Sequence, residues 1–544
     1  MDAILAILAL VLAGFFIVYV VLPVSFTVLG VLLLLSLLTA LGASLVFSVR
    51  NYVSAIRHNL NFHSWTWEKD EEPARRSYFF GPGYAQLAGT IREAFSLIGG
   101  SLDKVRDLSD IIRGFSPYTV LNVLRSAAAF IVRTAGSALL FVFSALLCGL
   151  LALVHGSVTT AVMLATDLVC GIVWLCDTLY LRLHRIHSDC PGCHRRVLVP
   201  AFRCPACGAV HKKLLPGPYG IWHHTCQCGQ VLPSSFMSGR SRLDALCPVC
   251  MSDILASDAR PIVFQLVGGS NAGKTAFLAS FFHEYRQELD AVPALSTTIP
   301  AEYQPFFDDL EHWFRDGICP ATAERNARMY PLLLQSPQDV PRQLSVLDVA
   351  GELFDGSSGT EPLQQQFRYC DGLLFLLDPF SSGSLRRSRS AAGDDLSGFS
   401  SMPAEDAAAG FINYLLRTGH ADPSARCSIP LAVLIAKADL PEVKRRIGPA
   451  KISSIFRKAP DRYTSIQQAR DELCRDFLCS IGLAGAVGEL EAQFSRLHYF
   501  PISAMGHAPD GTPFEPWGIM EPIRWLLPLA DSALSERIDP RHRT

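Results

Sequence analysis

The chain has 544 residues and carries 48 Lys and Arg against 50 Asp and Glu, so its net charge is close to zero. The length exceeds that of a typical single domain. Because the net charge is near zero, the chain as a whole gives no electrostatic indication of nucleic-acid binding. The mean hydropathy of +0.25 argues against an entirely soluble protein.

Four apolar stretches precede residue 182, and each has about the 20 residues that a helix needs to cross a bilayer. They are Ala3–Leu22, Phe26–Val46, Thr134–Val154 and Val158–Tyr180. Pro23 separates the first two, and His155-Gly156 separates the last two. We predict two helical hairpins, at residues 1–48 and 126–181, with four membrane-spanning helices in all. A cleaved signal peptide is the alternative for the first stretch, which lacks a basic leading segment.

Basic residues are absent from the turns within both hairpins and common outside them. They occur in segment 49–125, which has helical patterns, and in the stretch after Tyr180. Because basic loops stay on the cytoplasmic side, we predict a multi-pass protein of the plasma (inner) membrane with a cytoplasmic C-terminal half. Asp167 lies within the fourth stretch, where a carboxyl group is costly. It indicates either an ion path or a group that is protonated or bonded to Thr134 or Ser137.

Eight of the 16 cysteines form four close pairs in the segment 182–255. The pairs are Cys190 and Cys193, Cys204 and Cys207, Cys226 and Cys228, and Cys247 and Cys250. Two such pairs complete one tetrahedral Zn²⁺ site, so the spacing predicts a double zinc ribbon with two structural ions. We predict that the first two pairs share one ion and the last two share the other. A rigid connector is favoured over a redox motif or a nucleic-acid module.

The segment that follows the cysteine pairs contains Gly268-Gly269-Ser270-Asn271-Ala272-Gly273-Lys274-Thr275. It matches the phosphate-binding pattern G-x-x-x-x-G-K-S/T. A short β-branched run precedes it and a helical pattern follows it, which is the context that the motif needs. Lys274 is expected to neutralise the β- and γ-phosphates, and Thr275 to offer its hydroxyl to Mg²⁺.

Downstream, strands and helices alternate, which predicts an α/β domain at 256–535 with a parallel sheet and flanking helices. One predicted strand ends at Asp348 and is followed by Gly351. In this position the carboxylate holds Mg²⁺ and the Gly351 N–H reaches the γ-phosphate. Two later strands end at Lys437-Ala438-Asp439 and at Ser503-Ala504.

These elements resemble, in order, the five sequence motifs of the translation-factor-like and Ras-like branch of P-loop GTPases. The resemblance implies that Asp439 bonds the guanine base and selects GTP over ATP. It also implies that Lys437 lies along the base and that the loop of Ser503 and Ala504 donates a backbone N–H to it. Together with the apolar helices and zinc ribbons, the chain resembles bacterial TRAFAC-clade GTPases of the double-GTPase type, which implies GTP or GDP and Mg²⁺ as ligands.

Two positions depart from the family pattern. Ala436 stands where Asn or Thr is usual, so one bond that braces the phosphate loop is missing. Glu352 stands where Ras-like members carry a water-orienting Gln, and we expect it to orient water in catalysis. Thr322 is our choice for the threonine on Mg²⁺ and the γ-phosphate, with Thr297 and Thr298 as alternatives.

The segment near 380–405 is rich in Ser, Gly and Ala and predicts a disordered insertion. As a whole, the sequence predicts a membrane-anchored GTP-binding and GTP-hydrolysing switch at the cytoplasmic face, in signalling or bacterial conflict. Catalysis depends on Lys274, Glu352 and Thr322, and we expect it to be slow without a protein partner. The alternatives are a nucleotide-binding membrane scaffold with little hydrolysis and a nucleotide-gated membrane effector. A nucleic-acid partner is not expected.

Overall fold

The structure is a computed structural model that describes most of the chain. The described residues are 2–60, 72–113, 126, 129–193, 195–255, 257–319, 328–337, 339–348, 369–391, 398–400, 402–417, 426–508 and 511–539. They divide into two compact units. One comprises Met1–Cys176 and Leu215–Ser238, and the other comprises Asp177–Leu214 and Gly239–Thr544.

Long helices form most of the N-terminal part. The helices are α1 (Asp2–Phe16), α2 (Leu22–Leu60), α3 (Pro82–Arg113) and α4 (Ser137–Leu183). A π-helical turn at Ile17–Val21 joins α1 to α2, and another at Val132–Gly136 precedes α4. The resulting stretches Ala3–Leu60 and Ala129–Leu183 are long and apolar enough to cross a membrane.

The predicted hairpin turns are wrong in this structure, because the helix runs on through Pro23 and through His155-Gly156. The π-helical turn just before Pro23 rearranges the backbone bonds where the proline lacks its N–H group. Gly156 costs a helix only about 1 kcal/mol relative to alanine, and Leu151, Ala152 and Leu153 just before it are good helix formers. His155 also packs in the first unit, where its Nδ1 lies 3.2 Å from the hydroxyl of the buried Tyr52.

Asp167 lies exposed on α4. The expected bonds to Thr134 and Ser137 do not form. The Thr134 hydroxyl donates to the Phe130 carbonyl of its own helix, and the Ser137 hydroxyl donates to that of Arg133. The structure therefore gives Asp167 no hydrogen-bond or ion-pair partner among the residues it describes.

Short strands build the cysteine-rich region. In the first unit they are Ala74–Arg75, His223–Cys226 and Val231–Pro233. In the second unit they are the pair Ser188–Asp189 and Arg196–Val197, and the sheet of Val210–His211, Ala201–Arg203, Ala245–Leu246 and Asp253–Ile254. A 3-10 turn at Arg240–Arg242 precedes the last two of these strands.

The C-terminal end of α4 is joined to the cysteine-rich region by a buried ion pair. Arg240 Nη2 lies 3.0 Å from Asp177 Oδ2, and the side chains are 4% and 1% exposed. Arg240 also donates to the Leu214 carbonyl at 3.1 Å. A carboxylate can be buried at this depth because Arg240 compensates its charge.

Seven strands form the main sheet of the second unit. They are β1 (Arg260–Gly268), β2 (Ser296–Thr298), β3 (Arg328–Ser336), β4 (Asp339–Asp348), β5 (Gly372–Leu377), β6 (Leu431–Ile435) and β7 (Leu497–Pro501). Their order across the sheet is β2-β3-β4-β1-β5-β6-β7. The five adjacent strands β4, β1, β5, β6 and β7 are parallel to one another. Strand β3 is antiparallel to both of its neighbours, β2 and β4. The sheet is therefore mixed, because the short connection between β3 and β4 permits only a hairpin.

Helices cover both faces of this sheet. They are α5 (Lys274–Asp290), α6 (Gln304–Asp316), α7 (Gly383–Ala391), α8 (Ala404–Arg417), α9 (Pro441–Ile447), α10 (Pro449–Lys458), α11 (Ile466–Ser480), α12 (Ala484–Gln493), α13 (Met520–Ala530) and α14 (Ser532–Ile538). One core contains α5, α6 and α13, and the other contains α8, α11 and α12. The strands between them read as continuous apolar runs because both faces are buried.

The segment near 380–405, for which the sequence predicts disorder, is folded in its described residues. A 3-10 turn at Pro379–Ser381 leads into α7. Phe380 is only 1% exposed, and its ring centroid lies 5.0 Å from that of Phe399. These two aromatic residues supply the apolar anchor that the Ser-rich composition conceals.

Candidate functional site

The loop between β1 and α5 holds the glycine-rich motif at the carboxyl edge of the central strand. Its backbone turns sharply, with positive φ values of 58° at Asn271 and 102° at Gly273. A Cβ atom at Gly268 would lie 2.6 Å from the Leu376 carbonyl oxygen, so only glycine lets the motif pack against β5. The Phe277 amide donates to the Gly273 carbonyl, and α5 begins directly at the loop. The N–H groups of such a loop and helix start favour a bound phosphate.

The Lys274 side chain folds back over this loop. Its Nζ donates to the carbonyl oxygens of Gly268 at 2.9 Å and Gly269 at 3.1 Å. Burial lowers the pKa of Lys274, and the charge of Asp348 opposes that shift. A phosphate oxygen is a stronger acceptor than a carbonyl, so the ammonium group is positioned to exchange these two bonds for bonds to a nucleotide.

Asp348 ends β4 beside β1, where it pairs in register with Leu266. Burial raises the pKa of Asp348 to about 6, while the charges of Lys274 and Arg328 act to lower it. Its Oδ1 is buried and has no hydrogen-bond partner among the described residues. A buried oxygen without a partner is costly, and Mg²⁺ prefers oxygen ligands of this kind. Asp348 and Thr275, the second residue of α5, therefore form a donor set that fits Mg²⁺.

The predicted base-binding residues meet at the carboxyl ends of β6 and β7. The Ser503 hydroxyl donates to Asp439 Oδ1 at 2.7 Å and accepts from the Gly506 amide at 2.9 Å. The Ala438 amide donates to the Ile502 carbonyl, which ties the two loops together. The Ala504 carbonyl accepts from the Ser280 hydroxyl of α5 at 2.6 Å. These contacts orient the Asp439 carboxylate. The bond from Ser503 uses only one of its two oxygens, Oδ1.

Other predicted residues of the site are not tested by the geometry. Thr322, Gly351 and Glu352 lie outside the described residues. Thr297 and Thr298, the alternatives to Thr322, lie in the edge strand β2 and pair with β3. The structure thus brings together Lys274, Thr275 and Asp348 on the phosphate side, and Asp439 and Ser503 on the base side.

Asp378, the residue just after β5, belongs to this site but to none of the predicted motifs. It is 2% exposed, and its Oδ2 lies 2.6 Å from Lys437 Nζ. Ser400 and Phe399 of the segment predicted to be disordered lie against the same pair. An acidic residue at the end of a buried strand that neighbours β1 was the available signal, because parallel strands end at the same edge of the sheet.

The cysteine pairs combine differently from the prediction. The ligand atoms of Cys190, Cys193, Cys247 and Cys250 lie within 4.8 Å of one another. The Sγ atoms of Cys190 and Cys250 are 3.3 Å apart, and those of Cys193 and Cys247 are 3.6 Å apart. The other four of the eight, Cys204, Cys207, Cys226 and Cys228, make up the second group. Four thiolates suit a closed, structural Zn²⁺ site, so both groups fit zinc in chemistry, with partners exchanged.

Strand pairing explains this exchange. Ala201 lies opposite Leu246, and Phe202 lies opposite Ala245, in an antiparallel ladder. Cys247 therefore follows its strand toward the chain that leads back to Cys193, while Cys204 lies at the opposite end of the ladder. The pairs of Cys193 and of Cys204 are neighbours in sequence, but the strand Ala201–Arg203 lies between them and sends them to different groups. The spacing of the cysteines alone does not show this.

The first cysteine group is joined to the main sheet through Arg196. Its guanidinium bonds both carboxylate oxygens of Asp189, at 2.7 Å and 2.8 Å, and lies 4.6 Å from the centre of the Tyr369 ring. Nearby, Asp371 Oδ2 accepts from the Val263 amide of β1 at 2.9 Å. Burial raises the pKa of Asp371, whereas the Val263 N–H and the Arg196 charge act to lower it.

Part of the chain matches a known protein family. Residues 262–472 match the family model Double-GTPase 2. The chain is similar to Sup35 complexed with GMPPNP, with 16% identity and a TM-score of 0.19 over 45% of this chain and 37% of that chain. It is also similar to the S. cerevisiae Ski7 GTPase-like domain bound to GTP, with 12% identity and a TM-score of 0.21 over 47% and 48%. The chain thus spans less than half the length of either protein. No curated protein matches it. The family match, the motif residues and the fold together support an α/β P-loop domain of the double-GTPase kind in this region.

Proposed function

We propose that the chain is a membrane-anchored GTP-binding and GTP-hydrolysing switch that acts at the cytoplasmic face, in signalling or bacterial conflict. The observation that carries the proposal is the meeting of two half-sites at one edge of the main sheet. Lys274 and Asp348 form the phosphate half, and Asp439 with its Ser503 partner forms the base half. The family match over 262–472 supports a guanine nucleotide as the ligand.

Each of these residues has a specific role in the proposed reaction. The loop amides and Lys274 bind the β- and γ-phosphates and neutralise the charge that develops during transfer. Asp348 and Thr275 would hold Mg²⁺, which supplies further charge neutralisation when bound. Asp439 accepts hydrogen bonds from the guanine N–H groups and thereby positions the base. The roles of Thr322 and Gly351 in binding and of Glu352 in orienting water remain predictions from the sequence.

The membrane and the zinc ions enter as parts of the same proposal. The apolar helices Ala3–Leu60 and Ala129–Leu183 would anchor the chain in the plasma (inner) membrane. The buried ion pair of Asp177 and Arg240 ties the last residues of α4 to the 3-10 turn at Arg240–Arg242. Two structural Zn²⁺ ions would stabilise the fold of the ribbon region. A protein partner would read the nucleotide state from the cytoplasm.

The nucleotide choice is tested by Asp439→Asn in the full-length protein. Since the amide lacks the charge that pairs with the guanine N–H groups, we expect GTP affinity to fall about 10- to 100-fold. Affinity for ATP, which has no such donors, should change little. The measurement is the dissociation constant for each nucleotide with Mg²⁺, and Asp461→Asn at an exposed position is the control. An equal loss for GTP and ATP would contradict the role of Asp439 in selecting the base.

The membrane anchor is tested by extraction of cell membranes at alkaline pH. We expect the full-length chain to stay in the membrane pellet and to be released by detergent, because apolar helices of this length bury far more surface than a peripheral contact does. Replacing Leu33 and Leu34 of α2 by Arg, together with Leu150 and Leu153 of α4 by Arg, should release it, and the same four changes to Ala should not. Recovery of the unaltered chain in the alkaline supernatant would rule out the anchor.

A further inference from the structure

A buried ion pair lies where β5, β6 and the phosphate loop meet. Lys437 Nζ lies 2.6 Å from Asp378 Oδ2, and the two side chains are 21% and 1% exposed. The same ammonium donates to the Asn271 carbonyl of the phosphate loop at 3.2 Å and to the Gly398 carbonyl at 2.8 Å. An ammonium group has three donors, and here all three are used on separate segments of the chain.

Asp378 joins this ammonium to both ends of the inserted segment. Its Oδ1 accepts from the Phe380 amide at 2.9 Å, and its Oδ2 accepts from the Ser400 amide at 2.9 Å as well as from Lys437. Ser400 also lies against the phosphate loop, since a Cβ atom at Gly269 would lie 2.9 Å from its Oγ. The segment that begins just after β5 therefore returns to contact the loop that β1 presents.

Two arginines of α7 hold this segment from the outer side. The Arg389 guanidinium lies 4.9 Å from the ring centre of Phe380 and 5.4 Å from that of Phe399, and it pairs with Glu442 at 3.1 Å. Arg386 donates to the Ser400 carbonyl at 2.7 Å. The spacing of three residues places both arginines on one helix face. Arg387, between them, is exposed and bonds its own helix.

The cluster reaches the phosphate loop through Lys437, whose ammonium donates to the Asn271 carbonyl. Ala436 is buried in the apolar core beside Lys437 and has no polar side-chain atom with which to brace the phosphate loop. We propose that Arg386, Arg389, Phe399 and Ser400, which we call the inserted brace, are part of the nucleotide site. Acting through Asp378, the brace holds Lys437 on the phosphate loop and sets how long a guanine nucleotide stays bound. Asp378 is a positioning residue in this arrangement. The inference rests on the proposed function and adds the control of nucleotide release to it.

The surface side of the brace gives the first test. Full-length protein is loaded with a fluorescent GDP analogue, and its release into excess unlabelled GDP is timed. Arg389→Ala should speed release about tenfold, because it removes the cation above the two aromatic rings and the pair with Glu442. Arg387→Ala, two residues away on the exposed face, should release at the wild-type rate. Equal release rates for the two variants would overturn the inference.

A double-mutant cycle then tests whether Asp378 acts through Lys437. Asp378→Asn and Lys437→Gln should each speed release about 10- to 100-fold, since each leaves a charged partner without its counterion. If the two act as a unit, the double variant should release no faster than Lys437→Gln alone. If the two residues acted independently, their fold-changes in release rate would multiply in the double variant. That result, together with a lower melting temperature of the nucleotide-free protein, would also overturn the inference.

GDP retention by the wild-type chain distinguishes failure of this inference from failure of the proposed function. Failure of the wild-type chain to retain labelled GDP would overturn the proposed function and the inference together. If the wild-type chain retains GDP but Arg389→Ala and Arg387→Ala release it at the same rate, only the inference is overturned.

Discussion

Replacement of Lys274 by alanine is expected to reduce kcat/KM for GTP hydrolysis about 1000-fold or more, because a preorganised charge on the transferred phosphoryl group is lost from a buried site. The effect should exceed that of any other single change in the loop. In the structure the ammonium is already held over the loop by the carbonyls of Gly268 and Gly269. Binding of phosphate therefore requires only a local exchange of acceptors.

The measurement is phosphate release by full-length protein with GTP and Mg²⁺, with thermal unfolding as a check on the fold. Lys444→Ala is the matched control, because Lys444 is an exposed lysine on α9 that lies outside the loop. Hydrolysis at the wild-type rate by Lys274→Ala would show that the loop does not carry the reaction.

Removal of one buried thiol is expected to empty one of two zinc sites. In Cys247→Ser the zinc content should fall from about two ions per chain to about one, because a structural site needs all four ligands to remain closed. Cys247 is fully buried in its group, whereas Cys176 is an exposed cysteine outside both groups. Cys176→Ser should keep both ions. The measurement is zinc content by atomic emission, with the melting temperature as a second readout.

Double variants decide between the two ways of combining the cysteine pairs. In the structure Cys193 and Cys247 belong to one group. Cys193→Ser with Cys247→Ser should therefore cost one zinc ion, whereas Cys193→Ser with Cys207→Ser should cost both. The opposite result would restore the pairing of sequence neighbours.

Much of the site could be predicted because short sequence motifs carry its main functional groups. The glycine loop, Lys274 and Thr275 occur together in eight residues, and Asp348 ends a buried strand as the chemistry requires. The bond between Ser503 and Asp439 also fits the predicted order of strands. The backbone shape and side chains of such motifs depend on residues close in sequence, so contacts between distant segments are not needed to predict them.

The parts that escaped prediction depend on contacts between distant segments. The bond from Lys437 to Asp378 joins residues 59 positions apart, and no spacing rule connects them. The cysteine pairing follows from the register of Ala201–Arg203 against Ala245–Leu246. The helices continue because Gly156 is only a weak break and because a π-helical turn at Ile17–Val21 precedes Pro23. Composition favoured disorder near 380–405, although two phenylalanines suffice to anchor that segment.

The contact of Arg196 with Tyr369 bears on how the protein is shortened for biochemical work. A chain cut at residue 256, where the sequence suggests a domain boundary, would lack Arg196 and the hairpin that carries it. The Tyr369 ring would lose the cation that lies against it, and the buried carboxyl of Asp371 would lose a neighbouring positive charge. Such a fragment would carry a newly exposed apolar surface around Tyr369, a property that promotes aggregation during refolding. A soluble fragment should therefore begin before Ser188, so that the ribbon hairpin and the nucleotide domain are expressed as one piece.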